Sequence, residues 1–192
     1  YVLPIGKAED TGIVIHPYDD SPLDRVSVGE SAYVELINRA EKYVWIFTPY
    51  LVLDEQMRGA LCFAAARGVD VRIVTPGIPD KKTVFRLTRA NYTMLLKAGV
   101  RIYEYTPGFI HAKSMLSDDN AAVVGTINMD YRSLYHHFEN AVYFTDKQAV
   151  DKLKEDCLQT FGVCKERTLE NTKRHLLGRL TDAVLRVFET LM

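Results

Sequence analysis

Four polar residues around a candidate β-hairpin could act together on a phosphate ester. His111 and Lys113 lie on its first apolar segment, and Thr126 and Asn128 follow its second. The segment between them, Ser117-Asp118-Asp119-Asn120, consists of turn-forming residues. If its last two residues make the turn, His111 faces Asn128 and Lys113 faces Thr126 in a simple antiparallel register. All four side chains then project to one face, because positions two apart on a strand share a face.

These residue types suit transfer of a phosphoryl group. A phosphodiester is anionic, so Lys113 would offset its repulsion while the Thr126 and Asn128 side chains donate hydrogen bonds to its oxygens. His111 is nucleophilic when neutral and acidic when protonated, so it could form a phosphohistidine or protonate a leaving alkoxide. Glu139 could accept a hydrogen bond from Nδ1 and leave Nε2 free to attack. This chemistry needs no metal or other cofactor, and no tight cluster of His, Cys, Asp and Glu indicates a metal site.

The chain resembles the phospholipase D superfamily, whose motif is His-x-Lys-x4-Asp-x6-Gly-(Ser/Thr/Gly)-x-Asn. Every fixed position is met, and these positions are His111, Lys113, Asp118, Gly125, Thr126 and Asn128. Further segments make the chain similar to the C-terminal half of bacterial cardiolipin synthases; they are Phe47–Asp54, Val71–Gly77, Met129–Leu134, Phe138–Asn140 and Glu166–Lys173. The resemblance extends over residues 11–192.

The resemblance implies a phosphatidyltransferase that joins two phosphatidylglycerol molecules into cardiolipin and glycerol through a covalent phosphatidyl-histidine. A second implication is a site made of two facing motifs, in which one histidine attacks and the other acts as the acid. Before His111 the chain contains only His16, which lies in no such motif. The second motif would come from an upstream N-terminal half of the same enzyme or from a second copy across a twofold axis. The start at Tyr1 favours the first of these two sources.

We therefore expect a soluble fragment of a bacterial enzyme that is associated with the cytoplasmic membrane and acts on anionic phospholipid. The residues leave further functions open. A phospholipase D or another phosphatidyltransferase would use water or a different alcohol as the acceptor. A member of a different class would be a non-catalytic module that binds anionic phosphate or lipid, with His111 serving only as a donor. A nuclease is less favoured, and we expect no nucleic-acid partner, because the net charge is −1 and nothing is arranged to stack bases.

Several residues have two interpretations. Asp118 belongs to the motif, yet its place at the turn is equally consistent with capping or ion-pair support. Arg132 and Ser133 are candidates for substrate binding at the start of a short helix that Asp130 would cap. Arg132 is also consistent with an ordinary surface position, and His136 and His137 are interpreted as ordinary polar residues. A basic cluster could be a solvated helix face or could recognise a lipid headgroup; its members are Lys81, Lys82, Arg86 and Arg89.

The length and periodicity predict one α/β domain with a mixed β-sheet flanked by helices, and the resemblance implies that its fold is phospholipase D-like. The chain has 192 residues, of which 47% are hydrophobic, enough for one substantial core. Predicted strands cover residues 12–16, 44–47, 69–74, 100–105, 109–116, 121–125 and 140–144, and predicted helices cover 31–42, 54–67, 83–97 and 147–161. Residues 1–165 would form the catalytic domain. Residues 166–192 would form an amphipathic helical tail that docks on the core, a partner or a membrane surface.

Overall fold

In the computed structural model, residues 14–172 and residues 181, 185 and 187 are described. The strands are β1 (Ile15–Asp20), β2 (Tyr43–Phe47), β3 (Asp70–Pro76), β4 (Arg101–Tyr105), β5 (Ser114–Ser117), β6 (Ala121–Gly125), β7 (Glu139–Phe144) and β8 (Cys164–Arg167). The helices are α1 (Val28–Arg39), α2 (Glu55–Ala66), α3 (Lys82–Lys97) and α4 (Lys147–Gly162), with a short π-helical segment at Arg132–His136. Nearly every predicted element is present, with its ends moved by a few residues.

All eight strands belong to one sheet, in the order β1-β7-β6-β5-β2-β3-β4-β8. The central strands β2, β3 and β4 are parallel, and helices connect them. The other neighbouring pairs are antiparallel. The predicted mixed α/β sheet with flanking helices is therefore confirmed.

The two faces of the sheet bury separate hydrophobic clusters. On one face, residues of α1, α2 and α3 pack against the apolar side of the strands, as Ile37, Leu61 and Leu95 illustrate. On the other face, α4 packs through Val150 and Cys157 against a more aromatic surface. Because both faces of β2 are covered, all five of its residues are buried, as a run of apolar residues without polar alternation predicts.

Helix ends carry the local signals that the sequence indicates. Asp54 precedes α2, and its carboxylate accepts a hydrogen bond from the Met57 amide at 2.7 Å. Gly68 and Gly99 follow α2 and α3 with φ angles of +92° and +99°, a region that glycine enters without steric cost. These stops direct the chain into β3 and β4 and so fix where the parallel strands begin.

The register predicted for the β5–β6 hairpin is wrong by one residue. Ser114 pairs with Val124 and Ser117 pairs with Ala121, so residues 118–120 form a three-residue loop. The physical reason is that Asp118 and Asp119 adopt φ angles of +50° and +59°, which extends the turn. Lys113 consequently lies opposite Gly125, whose amide donates to the Lys113 carbonyl at 3.1 Å. The predicted strand 109–116 is also too long at its start, because β5 begins at Ser114.

The sheet continues past the boundary predicted at residue 165. Strand β8 spans Cys164–Arg167 and pairs antiparallel with β4, although no strand was expected there. Most of the predicted amphipathic tail helix lies outside the described residues. Among the helices that the structure describes, none combines the length and the apolar character needed to cross a bilayer.

Candidate active site

His111 and Lys113 are in direct contact on the irregular segment that leads into β5. The Lys113 Nζ is 2.7 Å from His111 Nδ1, 3.3 Å from Nε2 and 2.7 Å from the His111 carbonyl oxygen. An ammonium group has only donors, so Nδ1 is the acceptor of this hydrogen bond. The imidazole and the cation of the motif are thus neighbours, although not through the predicted strand register.

Electrostatics favour the neutral form of His111. Burial lowers the pKa of His111, the Lys113 charge lowers it further, and Asp80 opposes both effects. Burial also lowers the pKa of Lys113, while the carboxylates of Glu139 and Asp130 oppose that shift. An imidazole whose pKa falls below its ordinary value of 6.5 is mostly neutral at pH 7. The site therefore presents the form of histidine that can act as a nucleophile or a base.

Two aromatic rings flank the imidazole. The Phe109 ring centroid lies 5.7 Å from that of His111, and the Tyr50 ring lies edge-on at 6.3 Å. The Tyr50 hydroxyl donates a hydrogen bond to the Asp80 carboxylate. Tyr50 and Asp80 follow the carboxyl ends of β2 and β3, where side chains of parallel sheets often meet ligands. The motif alone does not identify Tyr50 and Asp80. Their positions just after two predicted parallel strands are the feature of the sequence that could have indicated them.

Thr126 and Glu139 meet where β6 passes β7. The Thr126 hydroxyl donates to the Glu139 carboxylate and accepts from the Asn140 amide at 3.0 Å. Gly125 permits this close approach, because a Cβ atom at that position would lie 2.5 Å from the Ala141 Cβ. The glycine of the motif therefore has a packing role that brings Thr126 alongside Glu139.

The predicted contact between Glu139 and His111 Nδ1 is not what the structure shows. Nδ1 is occupied by Lys113, and the Glu139 carboxylate instead faces Thr126 and His137, the latter at 3.8 Å. The reason is that Glu139 opens β7, whose pairing with β6 brings the Thr126 hydroxyl onto it. Glu139 still acts on the site electrostatically, since its charge opposes the lowering of the Lys113 pKa by burial.

Asn128 lies beside a buried carboxylate. Its side chain hydrogen-bonds Asp130, which lowers the pKa of that acid, but burial has the larger effect and the pKa is raised overall. The Asn128 carbonyl oxygen Oδ1 is buried and has no hydrogen-bond partner among the described residues. Asp130 also accepts from the Ser133 amide at 2.8 Å, so it caps the π-helical segment as the sequence predicts. Asp130 thereby joins the Asn128 side chain to the start of the π-helical segment.

Arg132 and Ser133 have different surroundings. Ser133 is buried, and its amide is used by Asp130. Arg132 is exposed, and its Nε donates to His137 Nε2 at 2.7 Å. His137 in turn faces Glu139, so it is linked to the site rather than an ordinary surface residue. A substrate-binding role for Arg132 and Ser133 stays a prediction.

Asp118 sits at the opposite end of β5 from Lys113. Its carboxylate accepts from three successive backbone amides, those of Glu41, Lys42 and Tyr43, at 2.6, 2.8 and 2.7 Å. These contacts join the hairpin turn to the segment that enters β2. They correspond to the supporting role considered for this residue, and its inclusion among the catalytic residues stays a prediction.

The fold and this site together define a phospholipase D-like protein. A solved structure of the phospholipase D family member Nuc from Salmonella typhimurium matches 81% of this chain and 99% of its own, with a TM-score of 0.68 and 16% identity. The family model described as the cardiolipin synthase, phospholipase D-like domain matches residues 33–160. The chain therefore belongs to that family, which confirms the resemblance drawn from the motif.

The relatives of this chain are much longer than the region that they share with it. An uncharacterized protein of Streptococcus mutans is 49% identical over 182 residues, which cover 94% of this chain and 39% of the relative. A cardiolipin synthase of Clostridium perfringens is 38% identical over 164 residues, which cover 85% of this chain and 34% of the relative. The chain thus spans between a third and two fifths of the length of these relatives.

Proposed function

We propose that this chain supplies the His111 half of a phosphatidyltransferase site that makes cardiolipin from phosphatidylglycerol at a membrane surface. The observation that carries the proposal is the contact between Lys113 and a His111 imidazole whose pKa is lowered. The family supports an enzyme of the phospholipase D type, and a named cardiolipin synthase among its relatives supports phospholipid as the substrate class. The acceptor and the covalent intermediate are part of the proposal.

In the first step, His111 Nε2 attacks the phosphorus of one phosphatidylglycerol molecule. A P–N bond forms, the P–O bond to the terminal glycerol breaks, and the glycerol oxygen takes a proton from a separate acid. Once His111 carries the phosphoryl group it cannot also serve as that acid. We propose that a histidine in a second His-x-Lys motif, which residues 1–192 do not contain, donates this proton.

Substrate binding must rearrange the contact between Lys113 and His111. With Nδ1 as the acceptor, a neutral His111 carries its proton on Nε2, and that tautomer cannot attack through Nε2. An anionic phosphodiester would compete for the Lys113 ammonium, because its oxygens carry a negative charge whereas the imidazole acceptor is neutral. Release of Nδ1 then allows the proton to move there. Lys113 in this scheme changes from a partner of the imidazole to a partner of the phosphate.

In the second step, a hydroxyl of another phosphatidylglycerol attacks the phosphohistidine. Its proton passes to the base that the first step created, the P–N bond breaks, and cardiolipin leaves. Thr126, Asn128 and Lys113 would stabilise the charge on the phosphoryl oxygens in both steps. Asn128 would use the amide nitrogen that now faces Asp130.

Lipid-product analysis of the complete gene product tests the proposal. Phosphatidylglycerol labelled in its acyl chains should yield labelled cardiolipin together with free glycerol. Phosphatidic acid as the main product would show that water is the acceptor and would replace the transferase with a phospholipase D. Lipid binding without any product would favour a non-catalytic module.

A further inference from the structure

A lysine outside the motif lies close to the catalytic imidazole. The Lys81 Nζ is 5.9 Å from the centroid of the Tyr50 ring, and that centroid is 6.3 Å from the His111 ring centroid. The two separations limit the distance between the Lys81 ammonium and the His111 ring to about 12 Å. Lys81 is therefore near enough to contact another part of a substrate that reacts at His111.

Asp80 fixes the place of Lys81. The Asp80 carboxylate accepts from the Tyr50 hydroxyl through Oδ2 and from the Lys81 amide at 2.5 Å through Oδ1. Because the Asp80 carboxylate accepts both hydrogen bonds, it repels an approaching anion less than a carboxylate without donors would. The Lys81 side chain is exposed, as is that of Lys82. The Lys81 ammonium thus lies over the Tyr50 ring beside a carboxylate that already accepts two hydrogen bonds, and Lys82 follows it as the first residue of α3.

The basic cluster recognised in the sequence separates into two parts. Arg89 lies 2.7 Å from Glu104 through both Nε and Nη2, and Glu104 is 3% exposed, so Arg89 is committed to a structural ion pair. Lys81 instead stacks on the ring that contacts His111. Lys81 is therefore the member of the cluster that a direct contact places near the site, and Lys82 is its neighbour at the start of α3.

We propose that Lys81, with Lys82, forms a second anion subsite that holds the non-reacting phosphate of an anionic acceptor lipid. This inference rests on the proposed function and names what selects the acceptor. In the transfer product, one glycerol joins the two phosphates through six covalent bonds, an extended length of about 7 Å. With each phosphate about 3–4 Å from its contacting nitrogen, the reach from nitrogen to nitrogen is about 13–15 Å. This reach exceeds the limit of about 12 Å between the imidazole and the Lys81 ammonium, so both phosphates can be held at once.

The subsite gives an anionic acceptor an advantage that water and neutral alcohols do not have. An acceptor whose phosphate is held by Lys81 presents its free hydroxyl to the phosphohistidine as an effectively intramolecular reactant. Ethanol has no phosphate and gains nothing from the lysines. Loss of the Lys81 charge should therefore change which acceptor is used, and should leave attack on the donor unchanged.

The experiment is a competition within one reaction. The complete gene product acts on phosphatidylglycerol in mixed detergent micelles of fixed lipid fraction, with ethanol added, and cardiolipin and phosphatidylethanol are both quantified. The ratio of phosphatidylethanol to cardiolipin is independent of any effect on the donor. We expect Lys81→Met to raise this ratio about tenfold, the effect of about 1.4 kcal/mol of lost binding, and Lys81→Arg to raise it far less.

Lys97→Met is the matched control, because Lys97 is an exposed lysine at the other end of α3. The ratio in this variant should equal that of the wild type. An unchanged ratio in both Lys81→Met and the Lys81→Met/Lys82→Met double variant would overturn the subsite. An equal rise in Lys97→Met would also overturn it, since any surface charge would then suffice. Absence of both products from the wild-type protein would instead refute the proposed function itself.

Discussion

At the scale of single residues, the contact between His111 and Lys113 combines two requirements of phosphoryl transfer. In the proposed mechanism the ammonium group meets an anionic substrate, and the same charge helps to keep the imidazole neutral. Because the two side chains are in direct contact, we expect the pair to act as a unit. Effects of substitutions at such a unit are not additive.

Substitution of His111 should remove turnover in the complete gene product. His111→Ala eliminates the group that we propose forms the P–N bond, so cardiolipin formation should fall to background. Lys113→Ala and Asn128→Ala should each lower turnover on the order of 10²–10³-fold, by analogy with the loss of a transition-state donor. Cardiolipin formation would be measured beside circular dichroism, with His136→Ala as the control at an exposed histidine. A folded His111→Ala protein with activity near that of the wild type would refute the mechanism.

The pKa of His111 should respond to Lys113 in a defined direction. Because the Lys113 charge disfavours the imidazolium ion, Lys113→Met should raise the pKa of His111 toward its ordinary value of 6.5. In activity profiles, the acid limb caused by protonation of His111 would then move to higher pH. Proton NMR titration of the His111 ring in this chain measures the pKa without any need for catalysis. A lower or unchanged pKa in Lys113→Met would contradict the electrostatic account.

The motif spacing predicted that His111 and Lys113 lie together, and the structure shows that contact. It could not predict the other side-chain contacts, which depend on how β7 is placed. Glu139 was expected at His111 Nδ1, but strand pairing directs its carboxylate to Thr126. Tyr50 and Asp80 reach the site from other strands, and no local pattern near His111 indicates them.

At the scale of elements, the β5–β6 hairpin shows how a distant segment sets a local register. The sequence permits a two-residue or a three-residue turn at residues 118–120. The three-residue form allows the Asp118 carboxylate to accept from the amides of residues 41–43 at the start of β2. Those amides are more than 70 residues away in sequence, so a local pattern could not decide between the turns.

Asp118→Ala should reduce stability more than it changes the chemistry. Three backbone amides would lose a charged acceptor, and a hydrogen bond to a charged group contributes about 1.5–3 kcal/mol, less where water can replace it, as at the exposed residues Glu41 and Lys42. The melting temperature should fall by several degrees, since about 1 kcal/mol corresponds to 2–4 °C in a domain of this size. Asp118→Asn keeps one acceptor oxygen and tolerates the positive φ, so it should lose less. An unchanged thermal melt together with lost turnover would show that Asp118 is a catalytic residue.

A buried acidic pair joins three elements and should make stability depend on pH. Burial and a hydrogen bond to Asp54 raise the pKa of Glu30 to about 7, and Asp20 contributes to the increase. The Tyr135 hydroxyl donates to Asp54 from the π-helical segment. A carboxyl whose pKa is raised on folding contributes stability that is fully present below its unfolded pKa and is lost as the pH rises through about 7.

Glu30→Gln should therefore remove part of this pH dependence. The glutamine amide can donate to Asp54 as the protonated acid does, but it cannot ionise. Relative to the wild type, the variant should gain several degrees of melting temperature between pH 5.5 and pH 8.5. Thermal melts at the two pH values measure this difference, and charges elsewhere in the protein cancel between the two proteins. If the difference in melting temperature between Glu30→Gln and the wild type stays constant, or shrinks as the pH rises, the pKa of Glu30 is not raised on folding.

At the scale of the whole molecule, periodicity predicted the layered sheet because most strands and helices have a buried side. Strand β8 was missed because Cys164-Lys165-Glu166-Arg167 is a charged segment without an apolar face. Ion pairs with β4 hold it, as Glu166 contacts Arg101 at 3.0 Å and Arg167 lies 3.7 Å from Glu104. Such an edge strand depends on its neighbour rather than on its own pattern.

We propose that this folded chain holds one half of a two-motif site. One histidine cannot both carry the phosphoryl group and protonate the departing glycerol, and a separate acid contributes about 10²–10⁴-fold. The test measures phosphatidyl transfer by this chain alone, after sedimentation has determined its oligomeric state. The same measurement is then repeated with a separate polypeptide that carries a second His-x-Lys motif. We expect a folded monomer that is essentially inactive, and transfer that appears when the second motif is supplied. Transfer only by a dimer of this chain would indicate a homodimeric site, and full activity from a demonstrated monomer would contradict the two-motif account.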